Sequence, residues 1–512
     1  MAKKNNSKHS PHYEKNKSMR YVVKHLFLFV CFLLMLINIH AQNKDFDTYK
    51  QKTQQEWSQY KDATQKAWTD YRDKLNAAYA ERMKENWKTF QLSAAKPMPP
   101  KPEPPTPIAK PDEKPAPTKP LPVKEVVKPE KPEKAEEPKP VKPIARPEHE
   151  PPILYSFQFY HTPCNVHLDE RQMFRLSDVS EKSAAAAWKK MSANAYDLIA
   201  DDCLKHKERL SLNDWGYIEL TKALSCDYFG KGSNEAVLMQ AYILVQSGYK
   251  IRLARQGNQL VLMIPFSNTL YGYSFLTLDD ERYYLMSEEK DGGSYAVFTE
   301  KFAGETTPSL NFSTEPQFAD NPTPSKTFTS VRYPAVTANV SGNKNLIEFY
   351  NSYPVTDQWN EYAKASLSKK VKRSLYPMLK KQIAGKSALE AANILLNFVQ
   401  TAFKYKTDQE QFGFERPLFG DEVFHYPYSD CEDRSILFSI LVRELLKLDV
   451  IMLNYPGHLA TAVHFPEEVS GYYFTINGEK YVICDPTYIG APVGDCMPKF
   501  VGTPANVIKI YE

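Results

Sequence analysis

Tyr428-Ser-Asp-Cys-Glu-Asp-Arg-Ser435 runs directly into the apolar stretch Ile436-Leu-Phe-Ser-Ile-Leu-Val442. Ser429 and Glu432 have capping-box spacing just ahead of that stretch, so a helix starts here and Cys431 falls in its first turn. Unpaired backbone N–H groups and the positive end of the helix dipole favour thiolate at such a position. Asp430, Glu432 and Asp433 oppose it, so a nearby imidazolium has to do most of the activation.

Downstream, Pro456-Gly-His-Leu-Ala-Thr-Ala-Val463 turns the chain into a strand that begins at His458. His464 competes for the same role, but on one strand face it lies roughly 20 Å away, too far for both rings to reach one sulfur. His458 is preferred because the Pro456-Gly457 turn leaves its side chain at the open end of the sheet. The strand Tyr481-Val-Ile-Cys484 ends at Asp485 and is stopped by Pro486, which suits a carboxylate that holds an imidazole tautomer. Singly, these are a buried cysteine, a turn histidine and a strand terminator. Together, in this order, they are the three parts of a cysteine nucleophile site.

Residues from about Lys386 to Val501 resemble a transglutaminase-like domain of the bacterial, papain-related kind. The resemblance rests on the helix Ala388-Leu-Glu-Ala-Ala-Asn-Ile-Leu-Leu-Asn-Phe-Val-Gln-Thr-Ala-Phe403 with Tyr405, on Asp430-Cys-Glu-Asp433, on Gly457-His458 and on Asp485-Pro-Thr487. It implies an α+β fold with the cysteine-bearing helix packed on an antiparallel sheet. It also implies a Cys431–His458–Asp485 triad and acyl transfer through a thioester on an amide or peptide bond. Ala460 stands where the family usually has an aromatic residue, and Ala462 where it often has an acid, so the expected substrate groove differs. The family spans crosslinking, peptide hydrolysis and amide hydrolysis. Hydrolysis is favoured, since the carboxylate clusters of calcium-dependent crosslinking enzymes are not evident. The backbone N–H of Cys431 is one oxyanion donor and Gln411 a weak candidate for the second.

The same pattern recurs upstream. Leu276–Ser287 matches Phe474–Asp485, with 287 falling on 485, and Ser233–Val245 matches Asp430–Val442, with 233 falling on 430. Gly257-Asn258 sits where Gly457-His458 does, with a short shift. The catalytic positions of this earlier copy would then be Asn234, Asn258 and Ser287, none of them a thiolate, imidazole or carboxylate. It reads as a degenerate fold-mate, retained for packing or for holding substrate. The competing reading of the whole is a scaffold that binds peptide through two such domains without turning it over.

Six segments follow from composition: a signal peptide or signal anchor (1–41), a long helix (44–94), a disordered Pro/Lys/Glu-rich linker (95–152), the degenerate domain (153–289), a β-rich connector (290–345) and the catalytic domain (346–512). The leader ends in Ile39-His-Ala41, and cleavage there would place the protein in the periplasm or cell envelope; an uncleaved leader would tether it to the membrane. In the helix, Phe46, Trp57, Trp68, Tyr79 and Phe90 recur every eleven residues, as do Tyr49, Tyr60 and Tyr71. Eleven residues in three turns makes one slowly drifting aromatic stripe that a lone helix cannot bury, so self-association or docking on an envelope component is expected. Residues 96–152 hold 20 of the 38 prolines, predicting an extended spacer that reaches roughly 170 Å.

A net charge of +4 over 512 residues, with acids and bases interleaved, predicts no affinity for nucleic acid. The expected partner is a peptide or protein substrate. Beyond the leader, Cys164, Cys203, Cys226, Cys431, Cys484 and Cys496 remain; with Cys431 free the others are odd in number, which argues against a full disulfide framework. A Cys484–Cys496 bridge and a buried strand thiol at Cys484 are the alternatives there, the second preferred. No zinc spacing or glycine-rich phosphate loop is present, so no metal or cofactor is expected.

Overall fold

A computed structural model describes residues 49–85, 87–99, 117–128, 154–193, 196–287, 292–312 and 314–511. The leader expected over 1–41 lies outside them, as does much of the proline-rich tract. Among the described residues no helix is long and apolar enough to cross a membrane. The chain divides into two compact units, one ending at Tyr71 and the other beginning at Arg72.

Helix α1 covers 49–83 and contributes to both units. In the first, Tyr49, Trp57, Tyr60, Trp68 and Tyr71 are exposed. Trp57 and Tyr60 stack with ring centroids 5.9 Å apart, and Trp68 and Tyr71 repeat the contact edge-on at 5.9 Å. In the second unit the remainder of α1 is buried: Tyr79, Ala80 and Met83 enter the main core. Asn76 bonds Gln246 in both directions and accepts from Trp188 Nε1 at 3.1 Å. The helix expected to reach residue 94 therefore ends at 83, and Lys88–Gln91 is strand β1. Phe90, the last member of the eleven-residue series, sits half-buried on this edge strand against an apolar cluster of the first sheet.

The second unit is α+β. Strands β2 (Lys119–Pro120) and β3 (Val123–Val127) come from the segment expected as a spacer. The hairpin β4 (Leu154–Phe159) and β5 (Thr162–His167) leads to α2 (Glu181–Ala193), α3 (Tyr196–Arg209), α4 (Asp214–Phe229) and α5 (Asn234–Gln246). Strands β6 (Arg252–Gln256), β7 (Gln259–Pro265), β8 (Phe275–Leu278), β9 (Glu281–Leu285) and β10 (Ser294–Phe298) follow. The connector holds one hairpin, β11 (Lys326–Thr329) with β12 (Thr337–Val340). Then come α6 (Lys344–Ser352), α7 (Trp359–Lys364), α8 (Lys369–Ile383), α9 (Ala388–Thr401), β13 (Lys404–Tyr405), α10 (Asp408–Gln411), α11 (Gly420–His425), β14 (Tyr428–Ser429) and α12 (Cys431–Leu441). The chain closes with β15 (Val450–Tyr455), β16 (His458–His464), β17 (Tyr472–Ile476), β18 (Glu479–Cys484) and β19 (Ala505–Lys509).

The two sheets repeat one topology. The first has the order β1-β10-β6-β7-β9-β8 and the second β3-β19-β15-β16-β18-β17-β2. Five consecutive strands correspond, all pairing antiparallel. Helix α5 packs on β7 as α12 packs on β16. Apolar side chains on one face of each sheet join the helices in a common core, while the other faces enclose separate clusters, around Met263, Leu276 and Tyr295 in the first sheet and Leu453, Phe474 and Ile483 in the second. Alternation along each strand is what feeds both cores at once.

Candidate functional site

Cys431 is the first residue of α12, one residue inside the N-cap Asp430. The cap differs from the Ser429/Glu432 pairing expected from spacing: Asp433 accepts from the Asp430 N–H at 3.1 Å, and Ser429 Oγ accepts instead from Arg434 Nε at 3.2 Å. His458 opens β16 directly opposite Tyr455, after the turn at Pro456-Gly457, where Gly457 takes a φ of 74°. Asp485 follows the last residue of β18, and its Oδ1 accepts from the backbone N–H groups of Thr487 and Tyr488 at 2.9 and 3.1 Å. That leaves Oδ2 aimed at His458 Nε2, 2.9 Å away.

The three side chains thus form one cluster. Burial pushes the His458 imidazolium pKa down, but the Asp485 carboxylate and the neighbouring Cys431 outweigh it and lift the pKa to about 10. The Cys431 thiol itself points to Glu432 Oε2 at 3.2 Å, and among the described residues nothing makes a well-aligned hydrogen bond to His458 Nδ1. The cluster is sealed: Cys431, His458 and Asp485 are 0%, 3% and 2% exposed. One face of the imidazole is covered by Phe500, stacked at 5.0 Å and 6°, which in turn stacks on Tyr455 at 4.6 Å. Ala460 and Ala462 belong to the same apolar cluster as Tyr455 and Phe500.

The competing histidine, His464, lies at the far end of β16, with Nδ1 3.1 Å from Lys480 O and Nε2 3.5 Å from Glu479. Gln411 is committed elsewhere, since its amide bonds the Tyr428 N–H and C=O at 3.2 Å each and so anchors β14 ahead of the thiol. All six described cysteines are free; Cys484 is a buried strand thiol.

Two groups supporting the site escaped the sequence reading. Arg434, fully buried, donates to Gln400 O at 3.1 Å and Phe403 O at 2.9 Å, locking α12 to the end of α9. From that end the Gln400 amide donates to the carbonyls of Asp485, Tyr488 and Ala491 at 3.0, 2.8 and 3.0 Å. A continuous bracket therefore runs from the cysteine helix to the aspartate loop. Beside it, oxygens of Asp408, Asp430 and Asp433 lie within 4.8 Å of one another, as do those of Asp408, Glu415 and Glu432. These acids also accept backbone N–H groups, Arg416 to Asp408 and Leu418 to Asp433, both at 2.8 Å. Burial, reinforced by Asp430 and Asp408, pushes the Asp433 carboxyl well above the usual range.

In the first sheet the hairpin register places Gln259, opposite Gln256, where His458 stands opposite Tyr455. This corrects Asn258 by one residue. Asn234, at the helix start, accepts from the Leu260 N–H at 2.7 Å and donates to Asn258 O at 3.0 Å, clamping the backbone on both sides of Gln259. A structural tie thus occupies the place of a thiol and a base. The chain matches no known family model, no curated protein and no solved structure.

Proposed function

We propose that the protein is a thiol-dependent acyl-transfer enzyme acting on amide or peptide bonds through Cys431, His458 and Asp485, and that its C-terminal half is a transglutaminase-like domain working as a hydrolase rather than a crosslinker. The carrying observation is the 2.9 Å pairing of His458 with Asp485 beside the Cys431 sulfur. In this reading His458 takes the Cys431 proton and the thiolate attacks the carbonyl carbon. The Cys431 N–H, at the helix start, meets the oxyanion; the imidazolium then protonates the leaving amine, and water resolves the thioester. The leader places the enzyme in the cell envelope, and the exposed aromatic stripe of residues 49–71 holds it to a second copy or to an envelope component.

A second reading is favoured by the sealed triad and by the clamp that replaces it in the first sheet: a non-catalytic scaffold that binds peptide through two related domains. Alkylation of Cys431 across pH, in wild type and in His458→Ala, separates them. The enzyme reading expects the wild-type thiol to react well below the free-cysteine range of about 8.5 and the variant not to. Equal profiles leave the scaffold.

A further inference from the structure

Thr118 to Val127 crosses from one edge of the second sheet to the other. Lys119–Pro120 pair parallel with Tyr472–Tyr473, and Val123–Val127 pair parallel with Ala505–Ile508. Only Leu121 and Pro122 separate the two strands, so the sheet has curled until its edges lie within the span of two residues, roughly 10 Å. The strap is held lightly. Lys119, Pro120, Val123, Lys124, Glu125 and Val126 are exposed, and Pro120 and Pro122 have no N–H to give. The pairing on β19 carries a bulge between Ala505 and Asn506, and parallel ladders are the less stable kind. The one side chain it buries fully is Leu121, inside the cluster that also holds Tyr455, Met497 and Phe500, while Val127 is half-buried against the main core.

The strap also brackets the loop that covers the imidazole. Residues 495–504 carry Phe500. Before them, Gly494 O accepts from the N–H of Tyr472, the residue paired with Lys119, and Thr118 Oγ1 accepts from Gly471 N at 3.4 Å. After them, the Ala505 N–H donates to Pro122 O at 3.3 Å. The Phe500 loop is thus tied to the strap directly at its end, through Ala505, and by way of β17 at its start.

We propose that the two edges, β17 and β19, form a docking seat for an extended peptide with one apolar side chain between prolines, in which Thr118–Val127 is the resident, displaceable occupant. An incoming chain of the same chemistry adds to both edges by backbone pairing and fills the Leu121 slot. An empty seat frees the Phe500 loop and uncovers Cys431, and an occupant, resident or incoming, covers it again. The seat stands apart from the catalytic reading; only the meaning of uncovering the thiol rests on it.

The test uses the full-length chain and a small alkylating reagent, with modification of Cys431 and of the equally buried Cys484 followed by mass spectrometry. Leu121→Asp, or replacement of Thr118–Val127 by Gly/Ser residues of equal length, is expected to speed Cys431 labelling about tenfold or more, with Cys484 unchanged, as local rather than global opening requires. A synthetic Thr118–Lys128 peptide in excess is expected to return the Gly/Ser-replaced protein to slow Cys431 labelling, and the same peptide carrying Asp for Leu to do nothing. Unchanged Cys431 rates, Cys484 rising in parallel, or a peptide without effect would each overturn the proposal. Faster labelling with no pH signature of an ion pair would leave the seat standing while removing the catalytic reading.

Discussion

Replacing Asp485 by Asn changes one atom type at the centre of the site and leaves its shape. The asparagine oxygen can still accept from Thr487 and Tyr488, which puts its NH₂ toward His458 Nε2. Nε2 must then accept, so the proton moves to Nδ1 and the ring can no longer take a proton from the thiol. The lift of His458 from 6.5 to about 10 corresponds to at most about 5 kcal/mol of imidazolium stabilisation. Without the carboxylate, burial acts in the opposite direction. Titration of selectively labelled histidine by NMR is expected to show His458 near 10 in wild type and below 6.5 in Asp485→Asn. Neutral-pH alkylation of Cys431 falls by about 10²-fold or more. Because the folded pKa is raised, its stabilising contribution is full below 6.5, declines as pH rises toward about 10 and is gone above that. The stability gap between the proteins is therefore widest at pH 6 and closes near pH 10. A His458 titration that stays near 10 in the variant, or a gap indifferent to pH, would refute the assignment of Asp485 as the partner that charges the ring.

In the first sheet, Asn234→Ala removes two hydrogen bonds to the Gln259 turn and is expected to lower stability by about 1–2 kcal/mol in urea unfolding, with Cys431 reactivity unchanged. Burial pushes the Asp421 carboxyl up to about 7 despite the Ser368 N–H, so its proton is retained into neutral pH and stability declines as pH rises from 3.8 through 7. Asp421→Asn should therefore match wild type at pH 4 and exceed it at pH 8 by up to about 4 kcal/mol, measured by chemical denaturation. The pair Trp57→Ala with Trp68→Ala strips the exposed stripe and is expected to shift any self-associated form toward monomer in sedimentation velocity without altering the melting of the second unit.

What could be read from the chain was local. Cys431 at a helix start, His458 after Pro-Gly and Asp485 before Pro each announce themselves within a few residues, and the hairpins ending at Asp485 and Ser287 repeat closely enough to expose the shared topology. Tertiary contacts are what sequence could not supply. The acids at 408 and 415 join 430–433 only through folding, and Arg434 and Gln400 look like ordinary helix residues until their carbonyl partners are seen. Phe90 kept the eleven-residue rhythm yet belongs to a strand, because Lys88–Gln91 finds β10 as a partner. Residues 119–127 were hidden by proline content, although Leu-Pro-Val-Lys-Glu-Val-Val127 is the one β-branched run in the tract. Gly257 and Gly457 do not hold matching places in their turns, and the turn pairing puts Gln259, not Asn258, opposite the partner strand as His458 is.

The strands β1, β2 and β3 all precede residue 153, and together they cap one edge of the first sheet and both edges of the second. A recombinant fragment trimmed to the apparent globular start would keep every residue of the triad and still bare β10, β17 and β19 as open ladders. Such edges recruit one another, so that fragment would be prone to precipitate or to exchange strands between molecules. The C-terminal half is thus not a detachable cassette; its solubility is written into a stretch of chain more than three hundred residues upstream of Cys431.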